Sequence, residues 1–232
     1  MALLRSAIYA LVFYPATAVF IVGCLLASLF GREQMRSVVH AWTDFHHHLV
    51  RLLGTRVAVE GEIPTGACLI AVKHQSMFET LEMMRIARTP VVVLKRELGS
   101  IPGFGWATRT YGIIPVEREA GARALREMLA LGKAFASSGR PILIYPEGTR
   151  VRPGETPPLQ AGFAGLYKAL GLPVVPIAVD SGRIWGRNLP RSRGTIHVKV
   201  GEIIPPGLKR DEVEARVHSA INALELGAQS RP

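Results

Sequence analysis

The stretch Lys73-His74-Gln75-Ser76-Met77-Phe78-Glu79-Thr80 sets a histidine and a carboxylate five positions apart, between a β-branched run and a helical one. A strand-to-helix turn is where layered α/β folds present reactive groups. A carboxylate one helical turn in can accept the proton of one imidazole nitrogen. The other nitrogen is then free to take a proton from a substrate hydroxyl. Spacing alone is a weak signal, because His197 and Glu202 repeat it. That second pair lies in an alternating run where Thr195, His197 and Lys199 share a polar face, and it reads as solvated. Ser76 invites the role of nucleophile, but no GxSxG elbow surrounds it.

Two further stretches supply what a base would need. Tyr145-Pro146-Glu147-Gly148-Thr149-Arg150 leaves an apolar run through a glycine-bearing turn that ends in arginine. Gly112-Ile113-Ile114-Pro115-Val116-Glu117-Arg118 ends another run the same way. Arg118 and Arg150 at neighbouring strand ends could grip one phosphate, each charge-assisted bond contributing about 1.5–3 kcal/mol. Ordinary surface arginines paired with Glu117 or Glu119 would look the same in sequence.

The elements that position these residues follow from periodicity. Short β-branched runs at 56–60, 67–72, 91–95, 113–116, 141–145, 174–179 and 195–200 predict strands. Several are continuously apolar, as strands covered on both faces are. Residues 79–87, 121–137, 162–170 and 210–224 have helical composition and spacing. Strands alternating with helices imply a layered α/β sheet of about seven strands flanked by helices. The basic loop 183–193, with four arginines and Trp185, reads as a surface feature.

The first 53 residues differ. Residues 6–30 carry no charge and are bracketed by Arg5 and Arg32. At about 1.5 Å per residue this run reaches roughly 37 Å, enough for a ~30 Å hydrocarbon core. It is longer than the apolar region of a cleaved signal peptide. Pro15 and Gly23 leave a kinked or half-inserted helix open. Residues 33–53 predict a second, amphipathic helix with the stripe Val38, Trp42, Phe45, Leu49 and Leu52, suited to the bilayer surface. His46, His47 and His48 read as wet residues beside that stripe. Three consecutive helical residues point about 100° apart, so they do not converge on a metal.

Composition narrows the classes. The chain has 232 residues, 48% of them hydrophobic, and a net charge of +10 that comes from 28 Lys+Arg against 18 Asp+Glu. That excludes a disordered chain and favours phosphate-bearing partners. No GxxxxGK loop is present, Gly103-Phe-Gly105 has no third glycine at dinucleotide spacing, and arginine is scattered rather than gathered into a recognition helix. The basic excess is therefore assigned to anionic membrane lipids and not to nucleic acid. Cys24 and Cys68 exclude a disulfide scaffold.

In combination these blocks resemble the glycerolipid acyltransferase family, most closely the bacterial 1-acylglycerol-3-phosphate (lysophosphatidic acid) acyltransferases. His74 and Glu79 match the family's HX4D block, with glutamate where aspartate is usual. Residues 112–118, 145–150 and 174–179 match its second, third and fourth blocks in family order. Lys95-Arg96-Glu97-Leu98, followed by Ile101-Pro102 and Gly105, is similar to its KxEL…IP…G element. The resemblance covers roughly residues 50–205. The apolar run and the amphipathic helix together read as a membrane anchor over residues 1–53, and the resemblance implies 54–232 as the α/β acyltransferase domain. It also implies acyl transfer from acyl-CoA or acyl carrier protein to the 2-hydroxyl of lysophosphatidic acid, without metal or bound cofactor. His74 would be the base, Glu79 its partner, and Lys95, Arg118 and Arg150 the phosphate ligands. Glu147, Gly148 and Thr149 would shape the glycerol site. The expected location is the cytoplasmic face of a bacterial inner membrane. A sister enzyme with another lyso-lipid acceptor, or a non-catalytic lipid-binding protein, are the alternatives; the intact His74–Glu79 pair weighs against the second.

Overall fold

The computed structural model describes residues 1–117, 121–186 and 190–225. Two helices lead the chain, α1 (Ala2–Ser28) and α2 (Arg32–Leu52). Then follow β1 (Thr55–Glu60), β2 (Leu69–Val72), α3 (Phe78–Ile86), β3 (Val91–Lys95), α4 (Phe104–Tyr111), β4 (Ile114–Val116) and α5 (Gly121–Ala136). The chain continues through β5 (Ile142–Ile144), α6 (Ala161–Leu170), β6 (Val174–Val179), β7 (Gly194–Val200) and α7 (Arg210–Ile221). The strands form one sheet in the order β1-β7-β6-β2-β5-β3-β4. Every neighbouring pair is parallel except β6 with β7. The layered α/β sheet of seven strands flanked by helices is therefore the fold of this chain.

Side-chain alternation divides the core in two. Leu69 and Ala71 of β2 face a cluster with Met128 of α5, Phe163 of α6 and Val217 of α7. Ile70 and Val72 face the other cluster, with Val50 of α2 and Phe78 and Met83 of α3. Because β2, β5 and β6 are parallel neighbours, their carboxyl ends open at one rim, in the middle of the sheet. The residues that follow each strand there, His74, Tyr145 and Ser181, are thus brought together from distant parts of the sequence.

One segment escaped the periodicity reading. Residues 96–111 form a 3₁₀ turn (Arg96–Ser100) and α4. Glycines interrupt the helical pattern here because the two turns touch: a Cβ on Gly105 would lie 1.9 Å from the Gly99 carbonyl oxygen.

Beyond Arg5 the helix α1 carries no charge, and it has an inner face that mean hydropathy does not reveal. Ser6, Tyr9, Phe13 and Thr17, three or four residues apart, and Cys24 two turns further on run along the side packed against α2 and the globular part. Tyr9 stacks on Phe13 at 4.9 Å and meets Trp185 edge-on, also at 4.9 Å between centroids. The Arg191 guanidinium lies 4.0 Å from the Tyr9 ring centroid and 4.4 Å from that of Trp185, and its backbone N–H donates to Ser6 Oγ at 2.8 Å. The opposite face presents Leu4, Leu11, Val19, Leu26, Leu29 and Phe30 uncovered. The helix is long and apolar enough to cross a membrane, and it is fastened lengthwise to the domain.

That docking corrects three sequence expectations. Trp185 is buried, not a surface residue of a basic loop. The buried arc of α2 runs through Met35, Val39, Thr43, His46, Leu49 and Val50; of the expected stripe Leu49 is buried and Val38, Trp42 and Phe45 flank the arc half-buried, whereas Leu52 is 85% exposed. His46 is not wet: it is fully buried among Tyr9, Phe13, Phe78 and Trp185. Desolvation holds its imidazole down to about 3, so it packs as a neutral aromatic ring. Hydropathy scales count histidine as polar, and α2 is enclosed by both α1 and α3, which turns its buried arc toward His46.

The Tyr9 hydroxyl has no hydrogen-bond partner among the described residues. Tyr9→Phe should therefore change stability by less than about 1 kcal/mol. Tyr9→Ala should cost about 3–5 kcal/mol through the cavity under α1. Denaturant midpoints of the two variants in the same detergent check this ordering.

Candidate active site

The turn after β2 is built around the Glu79 side chain. Lys73 N–H donates to the Ile177 carbonyl at 2.9 Å and carries sheet pairing one residue past the strand. The chain then turns into α3, and the first-turn glutamate points back under it. Glu79 Oε1 accepts from His74 Nδ1 at 2.8 Å, from Gln75 N–H at 2.7 Å and from Ser76 N–H at 2.6 Å. Glu79 Oε2 accepts from Ser76 Oγ at 2.9 Å and from Ser181 Oγ at 2.6 Å. The side chain is fully buried. Burial alone would push this carboxyl up. The His74 hydrogen bond and charge, with the Ser181 and Ser76 donors, more than reverse that and hold it below the usual carboxylate range.

With a carboxylate on Nδ1, the Nδ1–H tautomer is fixed and Nε2 carries the free lone pair. The His74 side chain is 12% exposed, whereas that of Glu79 is fully buried. Tyr145 stacks on the ring at 4.2 Å and its hydroxyl reaches the Glu79 carbonyl at 3.3 Å. The backbone of His74 is held from both sides by the turn after β5. Its N–H donates to Glu147 Oε2 at 2.9 Å, and its carbonyl accepts from Val151 N–H at 2.8 Å. The arrangement can remove a proton from a group placed over Nε2, and the Glu79 charge then stabilises the imidazolium.

Behind this turn lies a second buried layer that the sequence reading missed. Lys73 Nζ donates to Glu147 Oε1 at 2.6 Å, to the Glu155 carbonyl at 2.8 Å and to Asn222 Oδ1 at 2.7 Å. Gln75 Nε2 donates to Glu225 Oε1 at 2.6 Å, and Gln75 Oε1 accepts from Gly182 N–H at 2.9 Å. Both neighbours of His74 are thus tied to the end of the chain. The one available signal was Lys73 directly after a fully apolar strand, since a buried lysine requires a partner.

The remaining candidates divide. Glu147 sits beneath the site with both carboxylate oxygens engaged. Gly148 has φ 73°, and a Cβ there would fall 2.7 Å from Gln160 Cγ, so the turn requires glycine. Thr149 is exposed beside it, and no carboxylate pairs with Arg150 among the described residues. Lys95 is half-exposed and lies 2.9 Å from Glu97 Oε1. Arg118 lies outside the described residues. The N–H groups of Gln75 and Ser76, in the turn that leads into α3, are spent on Glu79. The other spaced pair is no pair: His197 Nδ1 lies 2.8 Å from Asp180 Oδ2 rather than near Glu202, and its side chain is 53% exposed. His40 and His47 take separate partners, the Arg88 carbonyl and Glu82.

The acyltransferase family model matches residues 56–180, from β1 to the residue before Ser181. A 1-acyl-sn-glycerol-3-phosphate acyltransferase of Pseudomonas aeruginosa is 36% identical over 174 residues, 73% of this chain and 68% of that protein. The human 1-acyl-sn-glycerol-3-phosphate acyltransferase beta is 29% identical over 161 residues, 68% of this chain and 58% of its own length. The crystal structure of the 1-acyl-sn-glycerophosphate (LPA) acyltransferase from Thermotoga maritima superimposes with a TM-score of 0.82. That match covers 100% of this chain and 99% of the other at 20% identity, and it speaks for the fold. By the family match and the Pseudomonas relative together, the chain belongs to the acyltransferase family.

Proposed function

We propose that this protein is a 1-acyl-sn-glycerol-3-phosphate acyltransferase, and that the buried His74–Glu79 contact is the observation that carries its chemistry. His74 Nε2 takes the proton of the acceptor's 2-hydroxyl as that oxygen attacks the carbonyl carbon of an acyl thioester. Collapse of the tetrahedral intermediate breaks the carbon–sulfur bond, and the imidazolium returns its proton to the departing thiolate. A thiol with a pKa near ~8.5 leaves readily, so no acyl-enzyme is required. Ser76 supports this direct route: it is buried, its hydroxyl donates to Glu79, and its oxygen accepts from Phe78 N–H at 3.0 Å. No metal or bound cofactor enters the scheme.

Arg150, with Lys95 and Arg118, is assigned to the acceptor phosphate. Gly148 and Thr149 shape the glycerol site through the turn that Glu147 fastens to Lys73. The acyl donor is acyl-CoA or acyl carrier protein. Residues 1–53 serve as the membrane anchor, with the bare face of α1 half-inserted in lipid and the inner face held by Tyr9 and Phe13. The positive charges that follow α1, Arg32 and Arg36, favour the cytoplasmic face of a bacterial inner membrane. Apolar burial is not screened by salt, so the full chain should stay with membranes through a high-salt wash. Its recovery in the wash would remove the anchor assignment.

His74→Ala should lower kcat by about 10²–10⁴ with little change in acceptor KM. Arg150→Ala should mainly raise the acceptor KM, and less so for an acceptor without phosphate. His197→Ala is the control and should stay within about twofold. Steady-state rates with lysophosphatidic acid and each type of thioester measure all three, and turnover retained by His74→Ala would remove the base assignment. Thioester offered without acceptor should leave no acyl adduct on the protein by intact-mass spectrometry. An adduct on Ser76 would replace the direct route by a covalent one.

A further inference from the structure

A fully buried carboxylate has a large desolvation cost to offset. Four of the five donors to Glu79 come from its own turn. The fifth, Ser181 Oγ at 2.6 Å, comes from the turn after β6, 102 residues along the chain. Ser181 is itself fully buried, and its position is set on two sides. Its carbonyl accepts from Trp185 N–H at 2.8 Å, and the next residue's N–H is the one bonded to Gln75 Oε1. A serine hydroxyl carries one proton. The neighbouring Ser76 Oγ, 3.1 Å away, already donates to the same carboxylate, so Ser181 commits its proton to Glu79 Oε2.

The reach of this contact is tied to the residue type at 79. The near oxygen is fixed by His74 and two backbone N–H groups. An aspartate keeping those bonds would draw its other oxygen back by about one carbon–carbon bond, ~1.5 Å. A 2.6 Å hydrogen bond to Ser181 would then open beyond hydrogen-bonding range.

We infer that Ser181 is a positioning residue for the reaction, serving the glutamate that stands here in place of the usual aspartate: it holds the far oxygen so that the near one stays on His74 Nδ1. This rests on the reading of His74 and Glu79 as the catalytic pair. Ser181 does not touch substrate, so its loss acts on the chemical step and not on acceptor binding.

The test is a double-mutant cycle on the full chain in detergent, with lysophosphatidic acid and an acyl thioester. Ser181→Ala should lower kcat about tenfold or more and leave the acceptor KM within about twofold. In a Glu79→Asp background the same substitution should change kcat by less than about twofold, because no contact remains to be lost. Ser181→Thr keeps the donor and should lie closer to the parent than Ser181→Ala. If Ser181→Ala does not fold, as its melting curve will show, Ser181→Cys in both backgrounds gives the same reading through a weaker donor of similar size. An equal loss of kcat in both backgrounds would mean that Ser181 acts by packing, and wild-type kcat in Ser181→Ala would mean that it does not act at all. Either result overturns the inference. His74→Ala in the same assay separates the two levels: an inactive His74→Ala with an unaffected Ser181→Ala sinks only the role of Ser181, whereas an active His74→Ala sinks the catalytic pair and this role with it.

Discussion

A carboxylate with no exposed surface persists as an anion only while donors fill its lone pairs, and Glu79 imposes that condition on everything around it. The N–H groups of Gln75 and Ser76 must turn back toward it, which makes the link between β2 and α3 tight. Ser181 must reach it across the rim of the sheet, which requires β6 beside β2 in parallel register. One nitrogen of His74 is then bound to the carboxylate, and the other keeps its lone pair. The chemistry of the site is in this sense a by-product of satisfying one buried charge.

The same logic operates one layer deeper. Lys73 and Glu147 form a fully buried ion pair, which contributes little net stability but enforces geometry, because either partner left alone would be a bare charge in the core. The pair joins the His74 turn to the turn after β5, and Glu147 spends its second oxygen on the His74 backbone. Arg150 follows three residues later on the same turn. The turn of His74, the proposed base, and the turn that carries Arg150, the proposed phosphate ligand, are therefore tied by hydrogen bonds, with the end of α7 closing them from behind through Asn222.

Much of this was legible in the sequence, for identifiable reasons. Strands covered on both faces, such as β2, β5 and β6, are continuous apolar runs, and β1 and β7 show β-branched alternation instead; all seven were found with ends displaced by at most two residues. His74 and Glu79 are five positions apart, and local spacing is what a sequence displays. Ser181, Asn222 and Glu225 were not legible, because their partners lie more than a hundred residues away and serine or asparagine carries no hydropathy signal. The His46 error has the opposite cause: a neutral imidazole packs like an aromatic ring, so polarity by residue type misplaced it. The bare and docked faces of α1 were not separated because the run was read for its lack of charge, although Ser6, Tyr9 and Thr17 all lie on the docked side. Glycines concealed α4, since Gly105 is present for close contact with Gly99 and not to end a helix.

The central claim is that Glu79 fixes the proton of His74 on Nδ1 and leaves Nε2 as the base. Nitrogen-15 NMR of histidine-labelled protein in micelles, with His74→Gln used to assign the signal, reads the tautomer directly at a pH where the ring is neutral. The account requires a protonated Nδ1 and an unprotonated Nε2 for His74, with that preference weakened in Glu79→Gln. A His74 found with its proton on Nε2 would contradict it.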